Sequence, residues 1–414
     1  MAAKWTFMVY IAGFNNLSPF AATDLDEMRQ VGSTDDVKVA VFIKQLGRGA
    51  RHILLGRNGE GEQSEELGNI DSGNPQTLLD FIRWAAGTAP ADRYALVVWN
   101  HGSGWQPDDL NQLYQEVRAR RGDTGVTARE LGVRSTQQIA QSLFSTTVQH
   151  MLELPSAGER AIASDDGTGH SLDTIELKKV VRLASEEALG GPLALLGMDA
   201  CLMSTFEVAY EVEDHAAAVV GSEELEPGDG WPYTQILQDL TANPDMAGAD
   251  LGTAVVERYV QSYQDRQDQW PVTQCAVDNA QTKGFVDQLD LLTRALGDHL
   301  SQAGDNEKVT RALARSTAFT GHLVDLGTFC SALRAGPVEQ AVKDAAGSVL
   351  ESLRPGGYVV AESHLGPTVE GCRGVTLYFP PPLTAISKFY GDLRFAERGW
   401  DDFLHSYQRA LRGD

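Results

Sequence analysis

The sequence predicts an α/β protein with a doubly wound, mostly parallel sheet and helices on its faces. Five apolar runs alternate with helical patterns in the first half of the chain, and each run is almost continuously hydrophobic. Such runs are typical of parallel strands that are buried on both faces. The candidate strands are WTFMVYIAG from Trp5, VKVAVFIK from Val37, YALVVWNHG from Tyr94, PLALLGMDA from Pro192 and AAAVVGS from Ala216.

Helical segments lie between these strands. One is predicted from Pro75 to Ala86, since Asn74 suits a helix cap and proline suits the first helical position. Another runs from about Asp173 to Leu189, where the apolar residues are spaced for one face. The stretch HILLGRNGEGEQSEEL carries a glycine-rich turn between two short runs, which predicts a small hairpin at the edge of the sheet.

The chain divides into three regions by composition. Residues 1–240 form the predicted core, and residues 106–160 interrupt it with a polar, glutamine-rich and arginine-rich insertion. A connection this long inside a compact domain is usually functional or disordered. Residues 241–414 are mostly helical in pattern and end with two late strands, YVVAESH and GVTLYFP. This region is either a companion domain or an extension of the same sheet.

Composition excludes several classes of function. The chain of 414 residues is 42% hydrophobic and 22% charged, which is typical of a soluble globular protein. A formal net charge of −23 repels nucleic acid and anionic membranes, so we expect neither as a partner. The N-terminal run resembles a strand more than an export signal, and we therefore expect a cytoplasmic protein. The oligomeric state is not predicted.

Two of the candidate strands end on reactive residues. The carboxyl ends of parallel strands meet at one rim of the sheet, where α/β proteins bind ligands. His101 follows one strand and Cys201 follows another, so an imidazole and a thiol would share that rim if the strands are neighbours. A histidine base raises the thiolate fraction of a cysteine nucleophile. The backbone amides of Gly102 and Cys201 are the candidate oxyanion donors.

Four sequence motifs, taken in their order along the chain, resemble those of the clostripain family of cysteine peptidases, which has a caspase-like fold. The resemblance rests on MVYIAGFNNL, VVWNHGSGW, GMDACLMSTFEVAYE and GDGWPY. It implies a caspase-like, mostly parallel sheet with flanking helices and a largely helical C-terminal extension. It also implies an endopeptidase with a Cys–His dyad of Cys201 and His101, whose partners are peptides with Arg or Lys before the scissile bond.

The resemblance places Asp199 at the bottom of the pocket that receives the basic side chain. A carboxylate there forms charge-assisted bonds with a guanidinium that a neutral group cannot replace. Asp229, in the glycine-flanked loop GDGWPY, is the candidate for a second pocket acid. Its competitors are Glu223, Glu224 and Glu226.

The polar insertion predicts self-processing. EVRARRGDTG contains three arginines beside a Gly-Asp turn, and a protease that prefers basic residues is expected to cut itself there. Members of the clostripain family process themselves in the corresponding region. We therefore expect a zymogen that is activated by cleavage, and the candidate cleavage sites are Arg118, Arg120 and Arg121.

No cofactor or metal is assigned from the sequence. Some clostripain-family members need calcium, but the chain contains no EF-hand loop. The acidic stretch SDDGTGHSLD offers carboxylates at Asp165, Asp166 and Asp173, and such a loop before a helix is more commonly a cap. Calcium dependence is left open.

Two alternatives to the peptidase are compatible with the same motifs. A Cys–His dyad could act on small esters or amides, and a catalytically silent module of the same fold could bind basic peptides. Cleavage of short fluorogenic peptides ending in Arg, Lys, Asp or Leu separates these functions.

Overall fold

The structure is a computed structural model that describes residues 2–14, 17–58, 60–100, 102, 104–105, 172–264, 271–300, 305–387 and 389–412. His101 and the arginines at positions 118, 120 and 121 lie outside the described residues, as does the predicted insertion at 106–160.

The strands and helices follow one another along the chain. The strands are β1 (Ala3–Gly13), β2 (Val37–Gln45), β3 (Ala50–Leu54), β4 (Gln63–Gly68), β5 (Ala91–Trp99), β6 (Leu195–Asp199), β7 (Ala218–Gly221), β8 (Val272–Asp278), β9 (Ala318–Phe319), β10 (Leu323–Asp325), β11 (Val359–Leu365) and β12 (Thr376–Tyr378). The helices are α1 (Ser18–Val31), α2 (Pro75–Thr88), α3 (Thr174–Ala184), α4 (Phe206–Glu211), α5 (Tyr233–Ala242), α6 (Gly248–Ser262), α7 (Thr282–His299), α8 (Asp305–Leu313), α9 (Leu326–Ala335), α10 (Gln340–Ser352) and α11 (Trp400–Arg412).

A large central sheet organises the molecule, with the strand order β11-β8-β7-β6-β5-β1-β2-β3-β4. The strands from β7 to β2 in this order are parallel, and antiparallel strands extend the sheet at both edges. A smaller antiparallel sheet has the order β12-β10-β9. The predicted α/β class with a mostly parallel sheet is confirmed.

The continuous hydrophobicity of the central strands follows from burial on both faces. In β1, Met8 and Tyr10 pack into one core, whereas Phe7 and Val9 pack into the core on the other face. Alternate side chains of a strand point to opposite faces, so a strand between two helical layers needs apolar residues at every position.

The predicted caps form as expected. Asn74 Oδ1 accepts a hydrogen bond of 2.8 Å from the backbone of Gln76, and α2 begins at Pro75. Asp173 and Glu176 form a reciprocal capping box at the start of α3. The predicted single helix to Leu189 differs in its last turn, because Ser185–Leu189 is a π-helix.

The edges of the sheet come from two distant parts of the chain. The predicted hairpin is confirmed as the antiparallel pair β3–β4. Strands β8 and β11, from the segment after residue 240, form the opposite edge. The backbone N–H of Thr376 in β12 donates to Ser204 O at 3.0 Å, which places the small sheet beside the turn after β6.

No helix in the described part of the chain is both long enough and apolar enough to span a membrane.

Candidate active site

The site lies at the carboxyl ends of β5 and β6. These strands are parallel neighbours, and Trp99 pairs with Asp199 at their last residues. The backbone N–H of Asn100 donates to Asp199 O at 3.3 Å, and its side-chain amide donates to Ala12 O at 2.8 Å. The expectation that these two strands share one rim is confirmed for the described residues.

A tight turn follows β6 and positions Cys201. Leu202 has a φ of 62°, a left-handed conformation that costs energy for a branched side chain, and the residue is fully buried. Its N–H donates to Glu224 O at 3.2 Å, and the N–H of Ser204 donates to Ser222 O at 2.8 Å. These two hydrogen bonds hold the turn against the segment that follows β7.

The Cys201 thiol is a free thiol on a partly exposed residue, and backbone groups surround its sulfur. The N–H of Glu226 donates to Sγ at 3.3 Å, and the N–H of Gly102 also donates to the thiol. Burial raises the pKa of the thiol to about 12, with further increases from the negative charges of Glu226 and Glu224. Within the described residues, the surroundings of Cys201 therefore disfavour the thiolate.

Gly102 packs directly against the turn that carries Cys201. A Cβ at this position would lie 2.2 Å from Cys201 O and 3.1 Å from the Ala200 side chain. Such a contact is impossible without moving backbone, so only glycine permits this approach. The close approach also brings the Gly102 N–H to the thiol.

Asp199 is buried beside the thiol-bearing turn. Its Oδ2 accepts hydrogen bonds from Tyr233 Oη at 2.8 Å and from the backbone N–H of Trp231 at 3.3 Å. Burial raises the pKa of Asp199 to about 6. Hydrogen bonds from Glu226, Tyr233 and Trp231 favour the ionised form and partly offset this increase. The folded protein therefore holds this proton more tightly than a free aspartic acid does.

Gly230 closes the space around this carboxylate. It has a φ of 58°, and a Cβ there would lie 3.1 Å from both Asp199 carboxylate oxygens. Its carbonyl accepts a hydrogen bond of 2.9 Å from Tyr263 Oη. The second glycine of the GDGWPY motif thus allows the loop to lie against the Asp199 carboxylate.

Of the alternative acids considered beside Asp229, Glu226 is the one whose side chain contacts Asp199. The two carboxyl groups are hydrogen-bonded to each other, and burial with the Asp199 charge raises the pKa of Glu226 well above its ordinary value. Gln274 also donates to Glu226 Oε1 at 3.2 Å. Glu226 thus contacts Asp199 through its side chain and Cys201 through its backbone.

The other three candidate acids make different contacts. Asp229 is exposed, and its charge acts on two acids of α1, Asp24 and Glu27. Glu223 is fully buried and accepts from the backbone N–H of Gly374 at 3.2 Å. Glu224 binds the backbone N–H of Leu225 at 2.8 Å.

Asp24 is a buried acid near Asp199 that the sequence analysis did not predict. It is buried, and burial together with the charges of Asp199 and Glu27 raises its pKa to about 9. The helical spacing could have indicated its burial, since Asp24 lies three residues after buried Ala21 and four before buried Met28. Glu27 was not predicted as a site residue either. Its side chain accepts backbone hydrogen bonds at the start of α5.

Among the described residues, the site brings several acids together and supplies no cation to pair with them. None of the ion pairs formed by the described residues includes Asp24, Glu27, Asp199 or Glu226. Buried carboxylates are normally paired with a cation or protonated. This group is therefore suited to bind a cationic side chain next to the Cys201 thiol.

Comparison with protein families decides the classification. The model of the clostripain family of C11 peptidases matches residues 9–126 and 152–407. The chain belongs to the clostripain family. It is therefore a member of a family of cysteine proteases, which are hydrolases. A search of curated proteins found no match.

Solved structures of C11 proteases share the fold. A secreted C11 cysteine protease from Bacteroides thetaiotaomicron with an irreversible peptide inhibitor has a TM-score of 0.59 at 18% identity, with 99% of each chain covered. An inactive zymogen C11 protease from Parabacteroides distasonis has a TM-score of 0.62 at 16% identity, with 96% of this chain and 98% of that chain covered. The secreted B. thetaiotaomicron protease called iotapain has a TM-score of 0.64 at 14% identity, with 96% of this chain and 99% of that chain covered.

The predicted cytoplasmic location is wrong by this comparison, because the B. thetaiotaomicron proteases of this fold are described as secreted. The prediction depended on reading the N-terminal run as a strand. That reading is correct, since β1 lies in the middle of the sheet, but it carries no information on location.

Proposed function

We propose that this clostripain-family protein is a cysteine endopeptidase that cleaves peptide bonds after Arg or Lys. Cys201 is the nucleophile and His101 is its base. The observation that carries the substrate preference is the group of buried acids beside the thiol, headed by Asp199. A substrate guanidinium supplies the positive charge that the described residues around this carboxylate lack.

Substrate binding and thiol activation are coupled in this proposal. The charge on Glu226 raises the pKa of the Cys201 thiol, and the same side chain touches the acid at the pocket floor. A cation that binds between these carboxyl groups would offset their negative field and so favour the thiolate. The enzyme would then be least reactive when its pocket is empty.

The backbone amides complete the chemistry. The N–H of Gly102 already donates to the thiol, which supports its assignment as an oxyanion donor together with the N–H of Cys201. Attack of Sγ on the scissile carbonyl gives an acyl-enzyme and releases the amine, which takes the proton held by His101. Water then hydrolyses the thioester and regenerates the thiol.

The test of this function is a panel of fluorogenic peptides that differ only in the last residue: Arg, Lys, Asp or Leu. We expect cleavage after Arg and Lys, and its loss in Cys201→Ala and His101→Ala. Residual activity within tenfold of wild type, about 1.4 kcal/mol of barrier, would reject the dyad. Ester turnover without peptide cleavage would support the small-substrate hydrolase, and peptide binding without turnover would support a silent module.

We further propose that the protein is a zymogen processed within residues 106–160. The raised pKa of the thiol is compatible with a latent enzyme, and one solved protease of this fold is described as an inactive zymogen. Mass spectrometry of purified wild type and Cys201→Ala tests this proposal. Self-processing requires new termini in wild type alone, at Arg118, Arg120, Arg121 or another basic residue of the insertion, whereas an intact and fully active wild type would remove it.

A further inference from the structure

A second cluster of ionisable groups lies among the helices of the C-terminal segment. His299 is the last residue of α7, Asp305 is the first residue of α8, and Glu339 immediately precedes α10. None of these elements carries a residue of the proposed active site. The geometry points to a binding site for one divalent transition-metal ion, such as Zn²⁺, with His299, Asp305 and Glu339 as its protein ligands.

The first argument is unsatisfied burial. His299 is fully buried, and neither of its ring nitrogens has a hydrogen-bond partner among the described residues. Asp305 is 3% exposed, and its Oδ2 likewise has no partner there. Buried polar atoms are nearly always hydrogen-bonded, and an orphaned group commonly marks an ion or water.

The second argument is the distances between the donor atoms. His299 Nδ1 lies 3.6 Å from Asp305 Oδ2 and 4.0 Å from Glu339 Oε1. These separations are too long for hydrogen bonds. With metal–ligand bonds of about 2.0–2.1 Å, donor atoms around a tetrahedral zinc ion stand about 3.4 Å apart. Both distances from His299 Nδ1 are within a few tenths of an ångström of this separation, and all three ligand atoms lie within 4.8 Å of one another.

The donor set and its accessibility agree with this assignment. One imidazole and two carboxylates suit zinc or manganese, whereas calcium takes oxygen ligands. Lys308 Nζ lies 2.6 Å from Asp305 Oδ1, which leaves Oδ2 facing the histidine. The Glu339 side chain is 45% exposed, so an ion can enter from solvent and a water molecule can complete its coordination.

A second group of potential ligands in the described chain is more enclosed and more fully hydrogen-bonded. Glu223, Asp325 and Cys372 also lie close together, but all three are buried. Backbone N–H groups of Arg373 and Thr328 already donate to the Asp325 oxygens at 2.9 and 2.6 Å. Both Asp325 oxygens are therefore already bound by backbone donors. Glu223 Oε1 has no partner among the described residues, but all three side chains of this cluster are buried, whereas Glu339 is open to solvent.

The site would join the ends of three helices. An ion held by residues from α7, α8 and the start of α10 would restrain their relative positions, so binding should raise thermal stability. The Cys201→Ala background is used for the test, because it prevents the proposed catalytic thiol from binding zinc.

The experiment is calorimetric titration of the chelator-treated full chain with Zn²⁺, together with the melting temperature at each zinc concentration. We expect one ion per chain and a melting temperature that rises with zinc. Glu339→Gln and His299→Ala should weaken affinity at least tenfold, whereas Glu351→Gln, an exposed acid of α10 paired with Arg354, should bind as the parent does. Co²⁺ should give the visible absorption of a low-symmetry N/O site, which Glu339→Gln should lose.

Glu339 is partly exposed and makes no side-chain cap bond to α10, so its variant tests the proposal even if His299→Ala does not fold. Absence of stoichiometric binding, or binding that Glu339→Gln leaves unchanged, would overturn the proposal and leave a buried ion-pair cluster only.

Discussion

Replacement of Asp199 by asparagine should have opposite effects on stability and activity. The amide keeps an oxygen for Tyr233 Oη and the Trp231 N–H, so the local hydrogen bonds survive. What it removes is a buried negative charge. Burial raises the pKa of Asp199 from 3.8 to about 6, and each unit corresponds to about 1.4 kcal/mol, so ionisation costs the folded state about 3 kcal/mol at most.

The sign of the stability effect depends on pH. The folded protein holds this proton more tightly than the unfolded chain does, so wild type loses stability as pH rises from 3.8 towards 6. The neutral amide of the variant carries no such cost. We therefore expect Asp199→Asn to be more stable than wild type at pH 8, by about 1–3 kcal/mol, and equal to it below pH 4.

The activity should fall in the same variant. Hydrogen bonds to charged groups contribute about 1.5–3 kcal/mol each, so loss of the bond to the substrate guanidinium predicts a fall of about 10- to 100-fold in kcat/KM for Arg peptides. Cleavage of Leu peptides should change little. The assays are urea denaturation at pH 4 and pH 8 and peptide hydrolysis.

A matched control is Asp239→Asn, which removes a surface carboxylate that pairs with Arg258 at 2.6 Å. It should lower stability slightly, because surface ion pairs contribute little to the free energy of unfolding. Hydrolysis of the Arg and Leu peptides should be unchanged. If Asp199→Asn instead destabilises the protein at pH 8, or lowers hydrolysis of Arg and Leu peptides equally, the carboxylate is structural and the pocket assignment is wrong.

Three further predictions concern the same rim. Glu226→Gln should lower the pH at which iodoacetamide alkylates Cys201, because it removes a charge that raises the thiol pKa, and an unchanged alkylation profile would contradict this. KM for Arg peptides should fall as pH rises through about 6, where Asp199 ionises, and a flat profile would show that this carboxylate does not bind the substrate. Gly102→Ala should abolish hydrolysis, because its Cβ would lie 2.2 Å from Cys201 O, whereas Gly87→Ala, with open space around the Cβ, should retain activity and helix content.

The central fold is predictable from sequence because its signals are local. A strand that is covered on both faces needs apolar residues on both faces, and the central residues of β1, β2, β5, β6 and β7 satisfy this requirement. Pairing between distant segments has no such local signal. The edge strands β8 and β11 join the sheet antiparallel to their neighbours, and this register depends on packing that the sequence pattern does not specify.

The site is predictable where its residues follow strand ends. Asp199 and Cys201 are two positions apart on one strand end, so a single motif contains both. Asp24 comes from α1 and comes close to Asp199 only through the packing of that helix on the sheet. Glu226 was one acid among several in its loop, and only the three-dimensional contact with Asp199 distinguishes it.

The pairing of β5 with β6 has a consequence for any cut made between them. Five residue pairs, from Ala95 with Leu195 to Trp99 with Asp199, join the two halves of the chain at the centre of the sheet. A cleaved molecule would therefore remain one particle, with its two polypeptides separating only on unfolding. Refolding would then require two chains to meet, so the melting temperature of the cleaved form should depend on protein concentration, as it does for a dimer.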